Sequence, residues 1–385
     1  MMKTNITREK CSGCSLCQMV CPKKCIKMEV DCEGFVTPEF SDDCVDCGYC
    51  ASVCPQNKDN LEKIEFRFPK KALSAVSKDK NNFKESSSGG AFSDIAKLFC
   101  DENYVIFGAE FDENLELKIS YIFDLAEIAK YRKSKYIQPQ ITDSYVKVLE
   151  FLKQGRKVLF TGTPCQVAAL KLYLKKDYEN LLTIDFSCHG FGSPVSFRKY
   201  IQDYERKYNK KVISYSFREK MKSFGRNHCQ SSKIVFDNGK VVCNFLDIWF
   251  QGFKKALFKC KACSFCNYVG AKRISDFTLC DFWGIEKLDS NLKSMEGVSL
   301  VLVNSDKANV LSEKLSIYST IKEHDVYESI KGNDPLNFAT KENPNRKKFF
   351  ELLLHNSVDH SIRKCIKIPT IGERIISRIK RVFLR

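Results

Sequence analysis

From about residue 72 onward the apolar positions alternate between the spacing of a strand and the spacing of a helix. The run ALSAVS (Ala72 to Ser77) reads as a short strand. After a polar stretch, Ser86-Ser87-Ser88-Gly89-Gly90 opens an amphipathic helix that continues to about Phe99, and YVIFGAEF (Tyr104 to Phe111) is a strand. A helix from about Thr142 to Lys153 leads into strand Lys157 to Gly162, helix Gln166 to Lys175, strand Leu181 to Cys188 and a further helix from Pro194. Strands alternating with helices predict an α/β layer structure. In KIVFDNGKVVCNF (Lys233 to Phe245) two strand-like runs flank Asn238-Gly239, a strong hairpin signal, so the layer structure carries an antiparallel portion. Leu61 to Lys71 is charged and cysteine-free and reads as a linker or linking strand. At the other end, Ile371, Ile375, Ile379, Val382 and Phe383 recur at helical spacing with Arg374, Arg378, Lys380, Arg381 and Arg385 between them. Such a basic amphipathic helix either docks on the core or lies on a membrane surface.

The first 60 residues follow a different rule, set by cysteine. Cys11-x2-Cys14-x2-Cys17-x3-Cys21-Pro22 is repeated as Cys44-x2-Cys47-x2-Cys50-x3-Cys54-Pro55. Three thiolates at that spacing wrap one 4Fe-4S cluster, and the fourth, placed before proline, reaches the neighbouring cluster. The expected wiring is therefore crossed: Cys11, Cys14, Cys17 and Cys54 hold one cluster, and Cys44, Cys47, Cys50 and Cys21 the other. Zinc ribbons use two C-x2-C pairs well apart, and a disulfide scaffold has no need of this doubled register. Cys25 and Cys32 lie outside the pattern and read as ordinary small apolar residues of the hairpin between the halves.

Composition fits a globular protein of 385 residues, 43% hydrophobic and 29% charged. No apolar run approaches the roughly 18 residues that cross a bilayer. The polar start, without a signal-type apolar segment, together with the cysteine usage, predicts a reducing cytoplasm, with the C-terminal helix as a candidate contact to the cytoplasmic membrane face. The net charge of +16 favours anionic partners. Charge alone would also admit nucleic acid, but no groove-reading motif supports it, so none is expected. The expected organisation is a cluster-binding unit over 1–60, a linker over 61–71, a larger domain over 72–350 and a basic tail over 351–385.

Two places in the larger domain have the grammar of a cofactor site. Ser86 to Gly90 sits at a helix start, where backbone N–H groups and the helix dipole attract phosphate; the plainer alternative is a turn with an N-cap. Thr161-Gly162-Thr163-Pro164-Cys165-Gln166 is a strand end and tight turn, where open α/β sheets bind ligands. Cys165 and Cys188 each follow a predicted strand, so both belong on one sheet edge, and KCKACSFC supplies more thiols. The preferred set for a third cluster is Cys165, Cys188, Cys263 and Cys266, with Cys260 and Cys280 as substitutes; a zinc site or core cysteines are the alternatives. His189, next to Cys188, is a candidate proton donor or else a structural histidine. Arg218 is one basic residue among 63, and Asp281 and Trp283 read as packing and turn residues.

Seven ordered stretches resemble the coenzyme F420 hydrogenase/dehydrogenase beta-subunit family: Ser86 to Phe99, Arg132 to Pro139, Val158 to Lys171, Ile184 to Pro194, Cys263 to Cys266, Ser275 to Ile285 and Gly297 to Asn304. The resemblance covers nearly the whole chain, including the N-terminal two-cluster ferredoxin. It implies an α+β protein, a bacterial-type 2x4Fe-4S ferredoxin fold followed by a larger α/β flavin-binding domain. It also implies FAD near Ser88, Gly89, Gly90, Lys135, Tyr136, Thr161, Gly162, Thr163 and Pro164, and a third 4Fe-4S cluster on Cys165, Cys188, Cys263 and Cys266. Relatives usually show glycine where this chain has Cys280, which leaves the fourth ligand open. The implied activity is oxidoreduction: a flavin exchanges a hydride with coenzyme F420 or another anionic organic substrate and passes electrons singly through clusters to a redox protein or enzyme subunit. The alternative is a non-catalytic electron-transfer adaptor.

Overall fold

A computed structural model describes residues 7–223 and 226–368. The amphipathic reading of the tail falls on 369–385, outside the described residues.

Residues 26–40 form a two-stranded antiparallel hairpin, β1 (Ile26–Val30) with β2 (Val36–Phe40). Its turn is held by Asp31, whose Oδ1 accepts from the backbone N–H groups of Glu33 (2.9 Å) and Phe35 (2.8 Å). Short helices Leu16–Val20 and Tyr49–Ser52 flank it, each carrying the third cysteine of one repeat.

The body is built on an eight-stranded mixed sheet. Its strands are β3 (Lys71–Ser77), β4 (Tyr104–Phe111), β5 (Leu117–Ile122), β6 (Lys157–Thr161), β7 (Leu181–Phe186), β11 (Phe277–Asp281), β12 (Ser299–Val303) and β13 (Ser319–His324). The order is β13-β3-β12-β11-β7-β6-β4-β5, with β4, β6, β7 and β11 mutually parallel and antiparallel strands on both flanks. Strands covered on both faces need near-continuous apolar sequence, as in LLTIDF of β7 and SLVLV of β12. Successive side chains point to opposite faces. Val158 and Phe160 therefore pack against Tyr145, Val148 and Leu152 of helix Ser144–Lys153 and Val167 and Leu170 of helix Pro164–Leu174. Leu159 packs on the other face with Ile95 and Ala96 of helix Ala91–Phe99.

A three-stranded antiparallel sheet joins β8 (Val212–Ser223), β9 (Arg226–Phe236) and β10 (Val241–Asn244). The predicted hairpin is β9–β10, with Gly239 at φ +80° in its turn. Phe217 and Phe236 of this sheet form an aromatic core with Phe197, Trp249, Phe258 and Phe349. Helix Arg346–His355 spans position 351, and Val358 and Ile362 of helix Val358–Cys365 are buried in the same core. The large mixed sheet with separate antiparallel pieces agrees with an α+β protein in its coarse form. Among the described residues no helix is long and apolar enough to cross a membrane.

The N-terminal hairpin unit is fixed to the body by buried polar contacts. Gln138 Oε1 accepts from Val36 N (2.8 Å) and its Nε2 donates to Ser12 O (3.0 Å). Arg346 makes a two-pronged ion pair with Glu33, its Nη1 2.6 Å from Oε1. The expected linker holds a 3-10 turn, Lys58–Lys63, capped by Asn57, before Lys71 opens β3.

Candidate functional site

Three groups of thiols line three hollows. The first hollow is lined by Cys11, Cys14, Cys17 and Cys54, and the second by Cys21, Cys44, Cys47 and Cys50. The chain thus brings together the cysteines that the crossed pattern pairs. Cys25, read as an ordinary apolar residue, also lines the second hollow, its Sγ 3.4 Å from that of Cys21. Cys32 is exposed.

The third hollow is lined by Cys165, Cys188, Cys263 and Cys266. Parallel pairing of Thr161 with Ile184 sets the ends of β6 and β7 side by side, so Cys165 and Cys188 emerge on the same carboxyl edge. A capping box between Thr163 and Gln166, with Pro164 at the first position, starts the helix there and holds Cys165 in its first turn. Cys263 and Cys266 come from the 3-10 turn Lys261–Phe265 and its end. Gly190, at φ +96°, lets the Cys188 loop close on them: a Cβ there would lie 2.9 Å from Cys263 Cβ and 3.0 Å from its Sγ. Of the two substitutes, Cys280 packs among Phe282, Ile285 and Leu300, while Cys260 is buried beside Cys263. Neither lines the hollow.

The donor chemistry fits iron–sulfur groups. Burial pushes the Cys14 and Cys165 thiols far up, Cys188 to about 12, and Cys11 and Cys266 to about 11. A hydrogen bond donated by the Cys263 thiol to Cys260, then burial, does the same to Cys263. Buried thiols of this kind ionise when metal charge is brought to them. Among the described residues no three His, Cys, Asp or Glu side chains close on one ion position; the thiols ring hollows instead. Ser12 and Gln56 line both the first hollow and the third, so these two are neighbours across one wall.

The same carboxyl edge carries the other predicted residues. The Ser86–Gly90 loop follows β3 and is stitched to the start of β12: Ser88 Oγ donates to Val298 O (2.8 Å) and Gly89 N to Ser299 Oγ (2.9 Å). The Gly89 N–H is thus already engaged, whereas the helix after Gly90 has no side-chain cap on its first turn. Beneath the loop, buried Asp94 accepts from Ser77 (3.1 Å), Asn82 (2.9 Å) and Ser319 (2.6 Å). Lys135 donates to the carbonyls of Arg132 (2.9 Å) and Lys133 (3.3 Å), and burial pushes it down to about 7. Tyr136 Oη accepts from Arg218 (3.2 Å). Thr161 Oγ1 and Ser187 Oγ, at the ends of β6 and β7, are buried without a hydrogen-bond partner. Gly162 N donates to Ile184 O (3.1 Å), and Thr163 Oγ1 lies 3.2 Å from Cys165 Sγ. Burial, then the nearby Lys259, hold His189 down at about 4, a neutral imidazole near neutral pH.

Arg218 and Asp281 gain weight from the fold. Arg218 is buried, pairs with both Asp281 oxygens (2.9 and 3.1 Å), and donates to Ser87 O (3.1 Å). It ties the Ser-Gly loop, Tyr136 and the end of β11 into one corner. Nothing local in the sequence marks this corner, because its members lie on four separate segments of the chain. Lys220, also pushed down by burial, to about 8, donates to the Phe83 and Ser88 carbonyls.

Residues 155–329, which contain the whole third thiol set, Arg218 and Asp281, match the family described as the C terminus of the Coenzyme F420 hydrogenase/dehydrogenase beta subunit. Over that segment, somewhat less than half of its length, the chain is similar to this family. A family of hydrogenase and dehydrogenase subunits makes oxidoreduction the general class of its chemistry. Among solved structures, a chain of the F420-reducing [NiFe] hydrogenase complex from Methanosarcina barkeri, studied by xenon derivatization, is similar at 18% identity and a TM-score of 0.47, over 77% of this chain and 91% of that one. No curated protein matches. The family segment begins just before β6 and ends past β13, so the first two hollows and the Ser-Gly loop lie outside it.

Proposed function

We propose that this chain is an iron–sulfur flavoprotein oxidoreductase that couples two-electron exchange with an anionic organic hydride carrier, coenzyme F420 or a chemical relative, to one-electron transfer to a redox protein or enzyme subunit. The observation that carries this reading is the neighbourhood of the first and third thiol hollows across the Ser12–Gln56 wall, with the third on the same sheet edge as the candidate cofactor loops. Residues 7–60 act as a two-cluster ferredoxin unit, with Cys11, Cys14, Cys17 and Cys54 on the body side and Cys21, Cys44, Cys47 and Cys50 outward, where Cys47 is exposed. A third 4Fe-4S cluster belongs to Cys165, Cys188, Cys263 and Cys266.

FAD, when bound, supplies the conversion between hydride and single electrons. The chain's own residues fit an anionic, hydrogen-bonding group: Thr161 and Ser187 offer unpartnered hydroxyls. Ser88, Gly89, Gly90, Gly162, Thr163 and Pro164 shape its backbone cradle, Tyr136 and Arg218 close one side, and Lys135 supplies a cation when an anion is at hand. Neutral His189 is positioned to accept or hold a proton beside the third hollow. The adaptor reading, clusters without flavin, is favoured by one observation, that the Gly89 N–H is already bonded to Ser299.

The deciding experiment is anaerobic purification followed by assay of iron, sulfide and released flavin. About twelve irons and one FAD per chain are expected, with bleaching on addition of the reduced deazaflavin. About eight irons and no flavin would leave the adaptor.

A further inference from the structure

A thiol that takes up metal charge gives away its proton, and its sulfur can then only accept hydrogen bonds. The groups that donate to such sulfurs are therefore built into the site, and the third thiol set has two of them. Gly190 N donates to Cys188 Sγ (3.3 Å) from a turn at φ +96°. Thr163 Oγ1 lies 3.2 Å from Cys165 Sγ. Thr163 is 5% exposed, and its neighbours Pro164 and Cys165 both line the third hollow.

The local sequence decides which way the Thr163 contact runs. Gly162 N on Ile184 O and Pro164 at the first helical position fix the chain on either side of Thr163, which is extended at φ −67°, ψ 159°. In the capping box the Thr163 oxygen accepts from the Gln166 backbone N–H, and Gln166 Oε1 accepts from Thr163 N (2.8 Å). A hydroxyl has two lone pairs and one proton. The cap uses a lone pair and leaves the proton, and the sulfur two residues along the chain is within its reach. In the free thiol either atom can donate; in a thiolate ligand only the hydroxyl can.

We propose that the Thr163 hydroxyl donates a hydrogen bond to the Cys165 sulfur of the third iron–sulfur centre and raises the reduction potential of that centre. This rests on the functional reading above. Reduction adds one electron to the centre while the proton stays on Thr163 Oγ1, and a donor aimed at sulfur stabilises the more negative state. Burial strengthens the effect, because water does not compete for the sulfur. Thr163 is thus a tuning residue that acts through Cys165, in addition to its place in the cofactor cradle.

Thr163→Val keeps the branched shape and deletes the donor, whereas Thr163→Ser keeps the donor. In a redox titration of the anaerobic holoprotein followed by EPR, the third centre is identified as the signal lost in Cys165→Ala. Thr163→Val is expected to make that centre harder to reduce by about tenfold in its one-electron equilibrium, about 59 mV, and Thr163→Ser to leave it at the wild-type value. Gln166→Ala opens the other half of the capping box and leaves the hydroxyl, so it too should leave the centre in place. An unmoved centre in Thr163→Val overturns the inference, as does an equal shift in Thr163→Ser or Gln166→Ala, or a shift confined to the flavin. If Thr163→Val loses the centre or does not fold, the wild type decides. A hydroxyl proton exchanges with solvent faster than a peptide N–H, so electron–nuclear double resonance in D2O should show one proton coupling to the third centre vanishing ahead of the slower amide coupling. Without that early loss the inference is overturned. Iron content separates the two levels: a wild type with about eight irons and no third centre overturns the functional reading and this inference together. A wild type with about twelve irons and an unshifted Thr163→Val overturns this inference alone.

Discussion

Lys135 illustrates how burial sets chemistry at a single side chain. Its amine is pushed from an ordinary 10.5 to about 7 by burial, with Glu110 opposing and Lys133 adding to the fall. Between about pH 7 and 10.5 the unfolded chain therefore binds a proton that the folded chain has given up, so this residue's contribution to stability rises with pH across that window and is absent above it as a slope. Lys135→Met should flatten the rise, read from denaturant midpoints at pH 7, 8.5 and 10. At this scale the sequence was informative wherever a residue's role depends on near neighbours in the chain. The eight doubled cysteines are such a case, because short spacing forces each trio around one hollow. Cys25 was not: its place beside Cys21 comes from β1 starting immediately after the loop, which turns its thiol inward.

Among the elements, the Ser86–Gly90 loop is the most tightly constrained. A Cβ on Gly89 would lie 2.0 Å from Ala75 O and 2.7 Å from Ser299 N, both backbone atoms that cannot swing aside. Gly89→Ala should destabilise the protein by about 2 kcal/mol, seen as a lower denaturant midpoint, and should also displace the stretch assigned to the cofactor. Periodicity placed β4, β6, β7 and their helices to within a residue or two, because the apolar runs of a parallel core are long and uninterrupted. It did not find β5, β8, β11, β12 or β13. Register shifts at Val212/Ser214, Ser216/Glu219 and Glu219/Met221 break the alternation of β8. β13, STIKEH, is an edge strand with only its first residue buried, so it lacks an apolar signature. The carboxyl-edge location of Cys165 and Cys188 was legible, since two strands each followed within a few residues by a cysteine need only be parallel neighbours.

For the whole molecule the decisive contacts are long-range, and they were not legible in the sequence. The hairpin unit is clamped by Arg346 on Glu33, 313 positions away, with the guanidinium side chain 4% exposed. Removing one member of a buried pair typically costs about 3 kcal/mol. Arg346→Ala should therefore speed hydrogen exchange in β1 and β2 while leaving β6 and β7 protected, as amide exchange followed by mass spectrometry would resolve. The order of the sheet has a consequence for how the chain is made. β3 is an interior strand, yet both its neighbours, β12 and β13, come from the far end of the chain; Ser74 bonds to Lys322, 248 positions later. At roughly 5–20 residues per second of synthesis, β3 waits roughly 10–50 s with both edges unpaired. Its sequence, KALSAVS, is mostly alanine and serine where an interior strand would ordinarily carry valine and isoleucine. A strand that must stay open that long offers little for a wrong partner to hold.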